Sequence, residues 1–307
     1  MSVMEACVRC RTHYVDSTGE YNFVRQVIER FNEEAKKQGV ALVSCCAFDS
    51  VPGDLGNYVV HQGLGAQVSE VRAFYQLSGA GMSGGTARSV FALREACCPE
   101  DSDPYSLLPT DASRPVKAPT RRGLWYDVSE KRLTGPFVMA ATNERVVRRT
   151  NALLGYGGTY VEAQEGTLGV VAAATITRYL MAAVLAVPFL RRYIAEHWLP
   201  PVGAGPTQSQ RELSWYKCVF VAVDKSGKTL RRVVLSDTRD AYTASDMYIA
   251  EAALSALQRA KEGSLGTGAL MTPMAAFGDV LLHRVRQAGV VVEVVEEATA
   301  STTAPAQ

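Results

Sequence analysis

A strand–helix–strand order near the N-terminus constrains the fold of this 307-residue sequence more than any other feature. Residues 12–16 form a short β-prone run, and residues 41–46 have the composition of a buried strand. Between them, residues 21–38 carry apolar side chains at helical spacing, and Gly39 follows as a helix terminator. Strands joined by a crossover helix pair in parallel, so the sequence predicts a βαβ unit and an α/β fold.

The rest of the chain alternates helices with strands of antiparallel character. The predicted elements are a strand at 67–77, helices at 84–96 and 142–153, strands at 212–223 and 229–236, helices at 243–261 and 273–288, and a strand at 290–295. The strands at 212–223 and 229–236 form a predicted hairpin that turns at residues 224–227. Residues 99–124 are predicted to be irregular, and the tail from residue 298 to be disordered.

Composition excludes several classes of protein. Apolar residues make up 47% and charged residues 21% of the chain, which is typical of a globular protein. The net charge of +1 provides no electrostatic reason to expect a nucleic-acid partner. The seven cysteines include two vicinal pairs, a pattern that favours a reducing compartment over a secreted disulfide framework. The N-terminal residues lack the pattern of a signal peptide.

Two short motifs favour ordinary structural roles. Gly79–Gly84 matches G-x-G-x-x-G, but no strand with a ribose-binding carboxylate follows the next helix, so a dinucleotide site there is disfavoured. Cys7-Val8-Arg9-Cys10 is a CxxC motif without a second ligand pair, which favours two packed thiols. The four histidines are scattered, and we predict no metal site.

The segment Thr167–Leu190 is apolar over 24 residues, long enough for a membrane helix. Arg178 near its midpoint disfavours spanning, while Arg191 and Trp198 supply a basic and aromatic border. Two interpretations stay open. The segment is either a buried helix of a large domain or a helix that associates with a lipid surface, in which case lying on the surface is favoured over spanning it.

A series of motifs in order along the chain resembles the saccharopine dehydrogenase-like oxidoreductase family. That family includes trans-acting enoyl reductases and eukaryotic proteins associated with lipid droplets. The matching segments are 12–20, 46–56, 77–78, 83–86, 103–105, 146–150, 205–208, 241–243 and 272–278. Each segment is weakly specific alone, and together they cover nearly the whole chain.

The resemblance implies a division of the chain and an N-terminal truncation. Members of the family begin with a Gly-rich turn that binds the cofactor's pyrophosphate, and we expect this chain to lack it. Residues 1–65 are then the C-terminal part of a Rossmann-like NAD(P)-binding domain with a parallel sheet. Residues 66–297 are a larger α+β domain with a mixed sheet for substrate binding and oligomerisation, of which 273–297 can pack back on the first domain. Residues 298–307 form the tail.

The resemblance also implies a site at the carboxyl end of the strand 41–46. Phe48, Asp49, Ser50 and Pro52 are the expected contacts of the nicotinamide side of NADP(H). Asp49 is also a candidate catalytic residue. In the same loop, Ser50 or Asp49 can cap the helix that follows.

Two further carboxylates, Asp16 and Glu20, lie beyond the other strand end and are also candidate catalytic residues. The alternative is that Asp16 and Ser17 cap the start of the next helix, which the sequence favours over catalysis.

Two functional hypotheses follow. The first is an NAD(P)-dependent oxidoreductase acting on a small apolar or lipid-linked substrate, inactive if the truncation removes the cofactor site. The second is a non-catalytic protein that binds a lipid droplet or membrane surface through residues 167–190. An incomplete chain begun at an internal Met is a third possibility. We expect an intracellular location, either at the cytoplasmic face of a membrane or lipid droplet or in the cytoplasm, with a homodimer as one possible assembly.

Overall fold

The structure is a computed structural model that describes residues 2–79, 81–113, 123–201, 203–265 and 268–295. Its helices are α1 (Ser2–Arg9), α2 (Tyr21–Gln38), α3 (Val51–His61), α4 (Gly84–Ala96), α5 (Ala140–Leu154), α6 (Leu168–Ala186), α7 (Pro188–His197), α8 (Gln208–Glu212), α9 (Ala241–Lys261) and α10 (Pro273–Gln287). Its strands are β1 (Tyr14–Val15), β2 (Ala41–Val43), β3 (Glu70–Ser78), β4 (Trp125–Asp127), β5 (Arg132–Gly135), β6 (Thr159–Glu165), β7 (Trp215–Val223), β8 (Thr229–Asp237), β9 (Ala269–Met271) and β10 (Val291–Val295).

The first sheet is the predicted parallel unit. Strands β1 and β2 pair in parallel, and α2 forms the crossover between them. Gly39 ends α2 in the left-handed conformation (φ 67°), which glycine adopts without strain because it has no Cβ. Strand β9 was not predicted from the sequence. It pairs in parallel with β2 and gives the strand order β1-β2-β9.

The second sheet has seven strands in the order β10-β8-β7-β3-β6-β5-β4. Only its β3–β6 pair is parallel, so the sheet is mixed and the predicted α/β class with a mixed sheet is confirmed. The predicted β7–β8 hairpin is also confirmed. Strands β4, β5 and β6 were not predicted. Residues 114–122 of the predicted irregular stretch, and the predicted disordered tail from 298, lie outside the described residues.

Helix α3 joins the two sheets. It follows β2 of the small sheet and packs on β7 and β8 of the large one. A Cβ on Gly56 would lie 2.2 Å from the ring of Phe220, so only glycine allows this close approach. The junction places the loop between β2 and α3 next to the large sheet. Helix α10 contacts both α3 and β2 and so returns to the first sheet, whereas β10 pairs with β8 of the large sheet. The domain boundary near residue 65 stays a prediction.

Helices α6 and α7 project their apolar side chains outward. Val171 is the one buried residue of α6, and α7 has none. In the described part of the chain, α6 is the single helix long and apolar enough to cross a membrane. The alternative of a buried core helix for this segment is therefore wrong, because its neighbours α7 and β5 cover only part of α6.

Candidate functional site

A cleft of about 310 Å³ lies where the loop after β2 meets the large sheet. Phe48 and Asp49 line it from the loop, and the N-terminal turns of α4 and α9 line it from the other elements. Much of its surface is apolar, with contributions from Leu77, Met82, Val138, Met139, Pro206 and Trp215. An apolar concave site with a few polar groups is the usual form of a small-molecule site.

The loop that carries Asp49 is held by Asp16. The Asp16 carboxylate accepts hydrogen bonds from the backbone N–H groups of Thr18 (3.0 Å) and Cys45 (3.1 Å), and from Ser44 Oγ (3.1 Å). These bonds secure Cys45 in a left-handed conformation (φ 65°), which is unfavourable for a residue with a Cβ. Burial raises the pKa of Asp16, although its hydrogen bonds act in the opposite direction. Asp16 therefore links the ends of β1 and β2.

The predicted helix caps do not form. Helix α2 begins after Glu20 and α3 after Ser50, and neither side chain caps its helix. The cap prediction for Asp16 is wrong, because its partners come from the loop after β2 as well as from its own turn. Ser50 instead donates to Asn143 Oδ1 at 3.3 Å.

Of the three candidate carboxylates, the structure places only Asp49 on the cleft. Burial raises the pKa of Asp49 to about 6. Among the described residues, none forms a hydrogen bond with its carboxylate oxygens, and burial is the one cause of its raised pKa. A carboxyl group without a partner in an apolar cleft is available to a ligand, and its raised pKa suits proton exchange near neutral pH.

The four residues predicted to contact a nicotinamide separate into two pairs. Phe48 lies on the cleft beside Asp49, and its ring packs edge-on against Tyr216 with the centroids 4.7 Å apart. Ser50 and Pro52 are buried and do not line the cleft. The backbone N–H of Phe48 donates to Ser245 Oγ at 3.3 Å, which ties the loop to α9.

The N-terminal turns of α4 and α9 meet at Tyr242. The Tyr242 hydroxyl accepts a hydrogen bond from the backbone N–H of Ser83 at 2.6 Å. The backbone N–H of Gly84 donates to the carbonyl of Ala204 at 2.9 Å. Two donors in the Gly79–Gly84 motif are thus engaged within the protein, and the Ser83 side chain caps α4. This arrangement fits the structural role predicted for the motif.

Sequence reasoning missed a buried carboxyl network behind the loop. Glu162 on β6 is completely buried and accepts hydrogen bonds from Tyr75 (2.9 Å), Tyr160 (2.7 Å) and Asn143 (3.0 Å). Burial raises the pKa of Glu162 to about 8. A Cβ on Gly53 would lie 2.7 Å from Glu162 Oε1, so α3 packs directly on this network. The available signal was a Tyr-x-Glu pattern in a strand that was itself missed.

A second buried carboxyl group, Asp54, joins α3 to α5 and α10. It accepts a hydrogen bond from Thr150 Oγ1 and another from the backbone N–H of Met274 (2.9 Å). Burial raises the pKa of Asp54 to about 7. The described residues include no group of three or more metal-ligating side chains that could hold an ion.

The chain is similar to proteins named trans-acting enoyl reductases. The chain is 28% identical to a Mycobacterium tuberculosis protein provisionally named a trans-acting enoyl reductase, over 94% of this chain and 75% of that protein. It is 29% identical to the trans-acting enoyl reductases of Mycobacterium ulcerans and Mycobacterium bovis, over 95% of this chain and 76% of each relative. No protein-family profile matches the chain.

These similarities extend over nearly the whole chain and support an oxidoreductase family. The saccharopine dehydrogenase-like part of the resemblance and the expected truncation stay predictions.

Proposed function

We propose that this chain is an NAD(P)-dependent oxidoreductase that acts on an apolar or lipid-linked substrate bound in the cleft, with NADP(H) as the expected cofactor. The observation that carries the proposal is the Asp49 carboxyl group, which lies on an apolar cleft without a hydrogen-bond partner among the described residues. Similarity to trans-acting enoyl reductases supports the reaction class.

The residues at the cleft fit one end of a nicotinamide cofactor. The Phe48 ring can pack on a planar ring, and the Asp49 carboxylate is compatible with the positive charge of an oxidised nicotinamide. The loops after β1 and β2, residues 16–20 and 44–50, contain three carboxylates and no Lys or Arg. They do not fit a pyrophosphate, so we assign no phosphate contact to them.

The cofactor would supply or accept a hydride when bound. The chain's own contribution is to bind, exclude water and exchange a proton. Leu77 and Met82 provide apolar walls that hold an acyl chain, and Asp49 holds a proton on its carboxyl group. Reduction of a carbon–carbon double bond consumes one proton in addition to the hydride, and Asp49 is positioned to provide it. Because Asp49 is only partly buried, it can be reprotonated from solvent.

The test is NADPH oxidation with a soluble trans-2-enoyl thioester, for Asp49→Asn against the matched control Glu20→Gln. We expect Asp49→Asn to lower kcat by ~10²–10⁴-fold, the usual contribution of general acid catalysis, and Glu20→Gln to retain activity. The wild-type reduction rate should fall as the pH rises through about 6, where Asp49 loses its proton. Full activity of Asp49→Asn would exclude this role.

Exposure of α6 favours a second candidate, a non-catalytic protein of a lipid surface. This candidate predicts that the chain binds lipid vesicles but neither NADPH nor NADH. Saturable nicotinamide binding would exclude it.

A further inference from the structure

The α6–α7 arm, residues 168–198, presents a broad apolar face outward. Ile176, Tyr179 and Leu180 are 59%, 59% and 63% exposed, and the alanines at 182, 183 and 186 are also exposed. Successive residues of an α-helix are ~100° apart, so these side chains form one stripe along the second half of α6. The opposite side, with Met181, Val184 and Leu185, is partly buried.

The chemistry of this face fits lipid better than protein. Protein interfaces carry about one hydrogen bond per 100–200 Å², and on this stripe only the Tyr179 hydroxyl can form one. Arg178 borders the stripe, and two aromatic side chains further along the arm, Phe189 in α7 and Trp198 after it, are 79% and 75% exposed. Basic and aromatic side chains around an apolar face are typical of helices that lie in the interface of an anionic membrane.

The arm is fixed to the wall of the cleft. After α7, the chain packs against the first turn of α4, where the carbonyl of Ala204 accepts the Gly84 N–H at 2.9 Å. A Cβ on Gly84 would lie 2.2 Å from the carbonyl oxygen of Pro201, so the two backbones are in direct contact. Pro206, two residues after Ala204, lines the cleft itself. The orientation of the arm is therefore coupled to that of the cleft.

The rim of the cleft is apolar and exposed as well. Leu77, Met82, Val138 and Trp215 line the cleft and are 39%, 42%, 66% and 42% exposed. Exposed apolar side chains grouped around a cleft mark a surface that contacts another apolar phase. The rim and the arm are therefore two exposed apolar surfaces, and the chain that follows α7 connects them.

We propose that the arm and the cleft rim dock together on an anionic lipid surface, and that an amphiphilic substrate moves its acyl chain from that surface into the cleft. Docking is independent of the proposed oxidoreductase activity. Only the identification of the bound amphiphile as a substrate rests on it.

The first test is flotation of the full chain with vesicles of phosphatidylcholine, with and without phosphatidylglycerol. The variant Ile176→Glu/Leu180→Glu is compared with Leu254→Glu/Leu257→Glu, which changes two exposed leucines on α9. We expect the arm variant to lose at least about tenfold in vesicle affinity, because it replaces two apolar side chains of the lipid-facing stripe by carboxylates. The α9 variant should bind like the wild type.

Two results would overturn lipid docking. One is equal vesicle binding by the two double variants. The other is a wild-type chain that does not bind vesicles but forms a dimer in light scattering, while the arm variant stays monomeric. In that case a second copy of the chain, and not lipid, would cover the face.

The second test asks whether the cleft faces the lipid. The chain has three tryptophans, so Trp125→Phe/Trp198→Phe leaves Trp215 on the cleft rim as the single tryptophan, which is excited selectively at long wavelength. We expect vesicles that contain dibrominated phosphatidylcholine to quench its emission, and the added arm substitutions to abolish quenching. Vesicle binding without quenching would overturn the proposal. Because neither test needs NADPH or turnover, a failed reductase assay does not alter their interpretation.

Discussion

The substitution Glu162→Gln should remove a large part of the pH dependence of stability. Burial raises the pKa of Glu162 from 4.5 to about 8. A raised pKa in the folded state means that the folded chain favours the protonated carboxyl group. The resulting stabilisation is complete below the unfolded-state pKa and is lost as the pH rises through about 8.

The size of this effect follows from the same values. Each pKa unit corresponds to about 1.4 kcal/mol, so a shift from 4.5 to about 8 gives an upper limit on the order of 5 kcal/mol. Glutamine keeps an oxygen for the Tyr75 and Tyr160 hydroxyls without titrating. The variant should therefore gain stability over the wild type progressively as the pH rises.

The assay is urea unfolding at a series of pH values from 4 to 9, for the wild type, Glu162→Gln and the exposed control Glu212→Gln. The difference in unfolding free energy between Glu162→Gln and the wild type isolates the titration of residue 162, because Asp49 and Asp54 titrate in both proteins. The unfolding free energy of the control should change with pH as that of the wild type does. A Glu162→Gln curve that also runs parallel to the wild type would refute the assignment of a protonated, buried Glu162.

Two more predictions concern packing and capping. Gly56→Ala places a Cβ 2.2 Å from the Phe220 ring and should destabilise the fold by ~1–3 kcal/mol. The control Gly169→Ala adds a Cβ to open space in α6 and should be neutral or slightly stabilising. Thermal unfolding measures both variants, and equal melting temperatures would contradict the close packing of Gly56 on Phe220. Asp240→Ala removes the side chain that caps the first turn of α9 and should lower the free energy of unfolding by ~0.5–2 kcal/mol. The control Asp246→Ala changes an exposed residue of the same helix and should be nearly neutral. Chemical unfolding measures both variants, and equal losses of stability would contradict the cap.

Periodicity predicted the elements whose partners are local. Helix α2 and the β7–β8 hairpin combine a clear repeat with a turn or terminator that lies within the same segment. Strand β9 has only three residues, and its pairing with β2 connects positions far apart in sequence. Strand β6 contains Glu162, a residue that strand propensity disfavours. The partners Tyr75 and Asn143 come from other elements, so the local sequence does not reveal the network that accommodates Glu162 in this strand.

The sequence predicted a candidate site at the carboxyl end of β2. Phe48 and Asp49 of that loop line a cleft, and the function of the cleft stays a prediction. Helix-capping rules assigned Asp16 and Ser50 to nearby N–H groups, but each finds a partner distant in sequence. Asp49 differs because no described group satisfies it, and a missing partner is visible only in three dimensions.

The most direct test of the proposed oxidoreductase site is a fluorescence titration of the purified full chain with NADPH, with NADH alongside. The proposal predicts saturable binding that an acyl thioester modifies, with Asp49→Asn retaining the cofactor but losing turnover. Absence of binding by folded, monodisperse protein would contradict the enzyme assignment and leave the lipid-surface function as the remaining candidate.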